Sequence, residues 1–171
     1  MSKEGIKYTV TGGVAAGLYV LLTLVSFAFG LANGAVQLRL SEALCILPVF
    51  TPAAIPGLFA GCVLANIITG CSLPDIIFGS LATLLGTVIT RALRKYAFRD
   101  GKSFFGTLFC LLPYILLNTV VVSAVQVLVY GIKAGWAVIA LSVFAGELVS
   151  CGVFGWALGK YISVNRRKMN L

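Results

Sequence analysis

The chain has 171 residues, of which 60% are hydrophobic and 11% charged, with a mean hydropathy of +1.04 and a formal net charge of +8. A soluble domain of this length needs far more polar surface, so the composition excludes a soluble globular protein. The basic residues lie at the ends of apolar segments, without interleaved aromatics, which argues against a nucleic-acid-binding surface. Apolar runs long enough to cross a bilayer, which takes about 20 helical residues, indicate an integral membrane protein.

Turn signals divide the apolar sequence into six predicted helices. The first, about 8–31, has no A-x-A-like cleavage site and is predicted to be a retained span and not a signal peptide. It ends at "GLANGA". The second is short, about 38–50, and stops at "FTPAAIPG", where prolines open the third helix, about 53–69. The remaining helices are predicted at about 73–96, about 104–130 and about 135–163.

The distribution of basic residues predicts the number of spans and their orientation. The second and third segments can also be interpreted as one kinked helix, which would leave five spans. Six spans place every basic residue except Arg39 and Lys133 on one side, which the positive-inside rule makes cytoplasmic. We therefore expect one multi-pass transmembrane domain over 1–171 in the cell membrane, with both termini cytoplasmic. The three clusters are Lys3 and Lys7; Arg91, Arg94, Lys95, Arg99 and Lys102; and Lys160, Arg166, Arg167 and Lys168.

The predicted fold class is an all-α bundle of six transmembrane helices. The apolar runs are continuous and do not alternate with a period of two, which argues against a transmembrane β-barrel. No internal repeat stands out, which weakens the case for a secondary transporter built from inverted halves.

Polar residues from five of the predicted helices fall in the outer half of this topology. Ionisable groups within a bilayer are costly and usually face a bundle interior or a cavity. This pattern predicts an outward-facing ligand pocket. Its candidate substrate-binding residues are Arg39, Glu42, Asn66, Asp75, Asn118, Gln126, Trp136 and Glu147.

Structural roles are open for most of these candidates. Arg39 and Glu42, in "VQLRLSE", are three residues apart and can pair with each other on a helix. Asp75 follows a proline and suits the positive end of a helix dipole. The amides of the fifth helix can simply bridge helices. Glu147, in "VFAGELVSCG", is deep and has no basic residue near it in sequence, so it is the strongest candidate for a functional role.

Small residues at a spacing of four mark close helix packing. The stretch "TGGVAAG" in the first helix contains two such pairs, and the same spacing recurs at Gly57/Gly61 and Gly155/Gly159. This spacing lets another helix approach closely, either within the chain or from a partner. The candidate partner-docking residues are Gly12, Gly13, Ala16 and Gly17.

The motifs of enzymes and metal proteins are missing. "RDGKS" lacks the first glycine of a phosphate-binding loop, because that position is Tyr96. The chain has no histidine, and its five cysteines lie singly in apolar runs without a C-x-x-C. We therefore expect no enzyme activity, no metal and no cofactor.

The segment "LRLSEALCILPVFTPAAIPGLFAGCVLANIITG", with "DIIFGSLATLLGT" and the later "AGEL", resembles the QueT family, whose members are substrate-binding S components of energy-coupling factor (ECF) transporters. The resemblance implies a six-helix S-component fold that binds a queuosine precursor or related 7-deazaguanine near the outer face. It also implies a transmembrane coupling subunit and two cytoplasmic ATPases as partners, with the coupling subunit docking on the small residues of the first helix. Three alternatives stay open: an S component for another heterocycle or vitamin, a stand-alone proton-coupled transporter using Glu147, and a structural membrane protein without a ligand.

The candidate residues suit the chemistry of such a ligand. A 7-deazaguanine offers N1–H and a 2-amino group side by side, which match the two oxygens of a carboxylate. Its O6 needs a donor such as an asparagine or glutamine amide. An aminomethyl substituent is a cation and favours a second carboxylate, and aromatic side chains, including Trp136, can stack on the flat ring.

Overall fold

The computed structural model describes residues 2–31, 38–97, 104–132 and 134–165. These residues are mostly helical and contain no strand, which confirms the predicted all-α class. A four-residue helix, Arg94–Ala97, follows the fourth of six apolar helical segments. The six segments are α1 (Lys3–Ala28), α2 (Leu40–Phe50), α3 (Ala54–Ile68), α4 (Leu73–Ala92), α5 (Phe104–Leu128) and α6 (Trp136–Asn165).

Four of these helices, α1, α4, α5 and α6, are long and apolar enough to cross a membrane. Large apolar side chains point outward from them, including Phe105 at 79% exposure and Leu128 at 81%. In a bilayer such faces contact lipid, so the chain is a membrane protein. The segments α2 and α3 are shorter, and the count of six spans stays a prediction.

The helix ends follow local capping chemistry. The first helix begins earlier than predicted because Ser2 caps it, its hydroxyl oxygen accepting the Gly5 N–H at 3.2 Å. Ser72 caps α4 in the same way, with a proline in the first turn. The predicted fourth helix, about 73–96, instead ends at Ala92, and the chain continues into the separate four-residue helix.

The helices α1 and α3 pack in parallel through small residues. A Cβ added to Gly57 would lie 2.4 Å from the carbonyl oxygen of Gly12, and one added to Gly61 would lie 2.9 Å from the carbonyl oxygen of Ala16. Only glycine allows backbones to approach this closely. Two of the four candidate docking residues, Gly12 and Ala16, therefore face α3 of the same chain.

The segment α2 runs back through the bundle, antiparallel to α1. Near its start the Leu40 N–H donates to Ser26 Oγ at 2.9 Å, and beyond its end the Tyr8 hydroxyl donates to the Pro52 carbonyl at 3.5 Å. Its first seven residues, Leu40–Ile46, form a 3₁₀-helix. The larger rise of a 3₁₀-helix, about 2.0 Å per residue, lets this short segment cover more depth than an α-helix would.

The helix α6 changes its winding in the middle. It is α-helical over Trp136–Glu147, π-helical over Leu148–Phe154 and α-helical again over Gly155–Asn165. Such π segments are frequent at functional sites. Here the α-to-π transition follows directly after Glu147.

The charged end of the bundle lies opposite the α3–α4 turn. There Arg91 joins the end of α4 to α2 by donating to the carbonyls of Pro48 at 2.8 Å and Val49 at 3.2 Å. The predicted cytoplasmic orientation also relies on basic residues that lie outside the described part of the chain, namely Arg99, Lys102, Arg166, Arg167 and Lys168, and on the exclusion of Lys133, which lies outside it as well.

Candidate ligand-binding site

A cavity of about 350 Å³ lies at the end of the bundle formed by the α3–α4 turn and the last turns of α1 and α5. Ligand-binding pockets commonly measure about 300–1,000 Å³, so this cavity is large enough for a small heterocycle. We call it the outer cavity. Its lining consists of Thr23, Phe27, Arg39, Thr69, Gly70, Cys71, Asp75, Val122, Gln126, Tyr130 and Ile132, which include three of the predicted site residues.

Asp75 is held at the edge of the outer cavity by the start of α4. Its N–H donates to the capping Ser72 Oγ at 3.4 Å, and its Oδ2 accepts from the Tyr130 hydroxyl at 3.4 Å. The Tyr130 oxygen in turn accepts the Ser72 N–H at 3.0 Å. The first-turn position expected from the helix dipole is thus observed, and the same carboxylate lines the cavity.

A second, polar pocket lies between the helices and shares part of its lining with the outer cavity. Its free space is about 10 Å³, roughly the volume needed for one water molecule. We call it the inner pocket. It is lined by Arg39, Glu42, Cys62, Gly79, Thr83, Asn118, Val122, Val143 and Glu147, which include four of the predicted site residues.

Glu42 accepts hydrogen bonds from three side chains. Its Oε1 accepts from the Tyr19 hydroxyl at 2.6 Å, and its Oε2 accepts from the Tyr114 hydroxyl and from Cys45 Sγ at 3.4 Å. Charged acceptors with several donors are among the stronger hydrogen-bonded groups in proteins. Glu42 therefore joins α1, α2 and α5 inside the bundle.

The spacing of Arg39 and Glu42 in the sequence allowed them to pair with each other. No hydrogen bond joins these two residues in the described part of the chain. Arg39 has an extended backbone (φ −106°, ψ 108°) because it precedes the 3₁₀-helix. A pair three residues apart needs both residues within a helix. Arg39 instead shares the lining of the inner pocket with Glu42 and that of the outer cavity with Asp75.

Glu147 is the unsatisfied acceptor of the inner pocket. The residue is 7% exposed, and its Oε2 is buried without a hydrogen-bond partner in the described part of the chain. The charges that act on it are those of Glu42 and Arg39. A buried acceptor without a donor costs about 1–3 kcal/mol, so a ligand that supplies an N–H group here gains binding energy.

The remaining candidates differ in position. Asn118 lines the inner pocket and donates to the Tyr114 carbonyl at 3.3 Å. Asn66 is 2% exposed, contacts Cys62 Sγ at 3.7 Å and is not among the described residues that line either cavity. Trp136 is 51% exposed at the start of α6 and is likewise outside both linings.

The charges of the two cavities favour a cationic ligand. One guanidinium, that of Arg39, faces three carboxylates, those of Glu42, Asp75 and Glu147. A cleft with an excess of one sign of charge attracts ligands of the opposite sign. Among the described residues no group of three acidic, cysteine or histidine side chains is arranged to hold a metal ion.

Three tyrosines of the site were not predicted from the sequence. Tyr19 and Tyr114 are buried and donate to Glu42, and Tyr130 donates to Asp75. A buried tyrosine hydroxyl usually has a hydrogen-bond partner. A tyrosine in the middle of an apolar helix is therefore a signal that a polar group lies opposite.

Comparisons with known proteins agree on one family. A family model described as QueT transporter matches residues 9–164. The chain is 27% identical to the queuosine precursor transporter QueT of Lactococcus lactis subsp. cremoris (strain MG1363), over 173 aligned residues that cover 97% of this chain and 100% of the relative. No solved structure gives a significant match.

Proposed function

The chain belongs to the QueT transporter family, and from this premise we propose that it is the substrate-binding membrane subunit of an ATP-driven ECF importer for a queuosine precursor or related 7-deazaguanine. The name of the Lactococcus lactis relative supports this substrate class. The observation that carries the proposal is the unpaired Oε2 of Glu147 beneath a cavity large enough for a heterocycle. A transport role, rather than catalysis, accords with the family.

In the proposed complex Glu147 and Asp75 have different tasks. Glu147 accepts hydrogen bonds from N1–H and the 2-amino group of the base, and the Asn118 amide donates to O6. Asp75 faces an aminomethyl cation from the outer cavity. Glu42 is already bonded to two tyrosines, so we assign it to the frame of the pocket and not to direct recognition.

The aromatic contribution comes from the lining and not from Trp136. Tyr130 and Phe27 line the outer cavity, and their rings offer stacking surfaces for a flat heterocycle. Trp136 is half exposed and does not belong to the described lining of either cavity. We propose that it anchors α6 at the membrane boundary, where tryptophan is enriched.

We further propose that a transmembrane coupling subunit and two cytoplasmic ATPases complete the importer. The open small-residue face of α1 supports a docking surface: no atom of another described residue lies within 4 Å of a Cβ added to Gly13 or Gly17. Gly12 and Ala16 already pack against α3. The proposed topology has six spans and cytoplasmic termini, because the basic clusters then share one side.

Uptake into proteoliposomes tests the proposal. The purified chain is reconstituted alone, with the coupling subunit and ATPases, or with a proton gradient, and uptake of radiolabelled 7-aminomethyl-7-deazaguanine is measured. The proposal expects uptake that needs both the partner subunits and ATP. Uptake driven by the proton gradient alone would instead establish a secondary transporter. Uptake of an unrelated vitamin, and not of the deazaguanine, would assign the chain to a different substrate class.

A further inference from the structure

Arg39 is one of two residues that line both cavities. The outer cavity and the inner pocket share Arg39 from the start of α2 and Val122 from α5. Both hydrogen-bond groups proposed for base recognition, on Asn118 and Glu147, belong to the inner pocket alone. A ligand that comes from the outer cavity therefore passes the Arg39 and Val122 side chains before it reaches Asn118 and Glu147.

The inner pocket is too small in the structure for the proposed ligand. The outer cavity measures about 350 Å³, and the inner pocket leaves about 10 Å³. A pocket of the smaller size accommodates about one water molecule and no heterocycle. The inner pocket must therefore expand before any ring reaches Glu147.

Carboxyl groups line the spaces on both sides of Arg39. Asp75 shares the lining of the outer cavity with it, and Glu42 and Glu147 share the lining of the inner pocket. The interaction of opposite charges is strong where water is excluded. Arg39 has an extended backbone just before the 3₁₀-helix. Its side chain therefore does not belong to a helical turn.

We propose that the Arg39 side chain is the partition between the outer cavity and the inner pocket. Ligand binding displaces the guanidinium from Glu42 and Glu147 toward the outer cavity, and the N–H groups of the ligand take over part of its role in the inner pocket. The displacement by ligand rests on the proposed function. The partition itself is a property of the ligand-free protein and is testable without any deazaguanine.

Two native cysteines report on the two sides of the partition. Cys71 lines the outer cavity and is partly exposed, whereas Cys62 lines the inner pocket and is 2% exposed. The detergent-solubilised full chain is treated with methyl methanethiosulfonate, a small neutral thiol reagent. Modification of each cysteine is followed by peptide mass spectrometry. Cys45 and Cys151, which are fully buried in the core, report unfolding.

In the wild-type protein we expect rapid modification of Cys71 and slow modification of Cys62. Arg39→Ala should raise the rate at Cys62 about tenfold or more while Cys71 is unchanged, because thiol reactivity follows exposure. Gln126→Ala, which shortens a side chain of the outer cavity only, is the matched control and should leave Cys62 protected.

Two results would overturn the partition: rapid modification of Cys62 in the wild-type protein, or continued protection of Cys62 in a folded Arg39→Ala variant. If Arg39→Ala exposes Cys45 and Cys151 as well, the same criteria apply to Arg39→Ser, which also removes the long side chain and keeps a small polar group. If the labelling pattern is as expected but the deazaguanine does not bind, the proposed function is rejected and the partition is retained.

Discussion

The hydroxyl of Tyr19 donates a hydrogen bond of 2.6 Å to Oε1 of Glu42 in the interior of the bundle. Tyr114 donates to the other carboxylate oxygen. The three residues belong to α1, α2 and α5, and all are at most 3% exposed. This arrangement explains how an apolar chain accommodates one of its carboxylates, because phenol donors replace the water that the charge has lost.

Tyr19→Phe should destabilise the protein by about 1.5–3 kcal/mol, the range for a hydrogen bond to a charged group. The substitution leaves Oε1 of Glu42 without this donor and changes little else in shape. The free energy of unfolding in detergent measures the effect. Tyr8→Phe is the matched control, since that hydroxyl is exposed and only 3.5 Å from a carbonyl, and it should change stability by less than about 0.5 kcal/mol. Equal effects of both substitutions would show that the Tyr19–Glu42 contact is not a stabilising one.

Glu147→Gln should weaken binding of 7-aminomethyl-7-deazaguanine by about 2–4 kcal/mol. The change replaces one acceptor oxygen with an NH₂ donor, which would face the donors of the base. Stability should be unchanged or slightly higher, because the amide cannot carry the buried negative charge of the carboxylate. Isothermal titration calorimetry measures the affinity, with Glu4→Gln at the exposed end of α1 as the control. Wild-type affinity in Glu147→Gln would assign base recognition to another carboxylate.

Gly57→Ala should destabilise the bundle by about 1–3 kcal/mol, as expected for overpacking. Its Cβ would lie 2.4 Å from the backbone of α1, which cannot move without separating the two helices. Gly13→Ala meets nothing within 4 Å and should stabilise α1 by up to about 1 kcal/mol. Thermal unfolding in detergent compares the two variants. A loss of stability in Gly13→Ala as large as that in Gly57→Ala would contradict the parallel α1–α3 packing.

Gly17→Leu should weaken assembly with the coupling subunit while ligand binding by the isolated chain survives. A leucine at this open position would project from α1 and block the close approach of a second helix. Co-purification with the coupling subunit measures assembly, and Ala137→Leu, at an exposed position in the first turn of α6, serves as the control. Normal assembly of Gly17→Leu would place the docking surface elsewhere.

Much of the helical architecture could be predicted because it depends on long apolar runs and on local breakers. Pro52 between α2 and α3 and the turn at Gly70 between α3 and α4 separate helices in the structure as expected. The conformation of α2 could not be predicted, because a 3₁₀-helix and an α-helix differ little in sequence preference. The choice between them follows from the depth that the segment has to cover.

The burial of the candidate residues could be predicted, and the contacts between them less so. An ionisable residue in a membrane helix is informative by itself, and seven of the eight candidates are at least partly buried in the bundle. Which donor forms a hydrogen bond with which acceptor depends on contacts between distant segments, such as that of Tyr114 with Glu42. The exposure of Trp136 also follows from the rotation of α6 against its neighbours, which the local sequence does not specify.

The most direct test of the account is the affinity of the purified wild-type chain for 7-aminomethyl-7-deazaguanine, measured by isothermal titration calorimetry in detergent. We expect binding of one ligand per chain with a Kd of about 1 μM or lower, equivalent to about −8 kcal/mol. We also expect that Asp75→Asn weakens this binding more than it weakens binding of guanine, which has no aminomethyl cation. No binding of the deazaguanine by a folded wild-type chain would contradict the assignment of the outer cavity and inner pocket as its site.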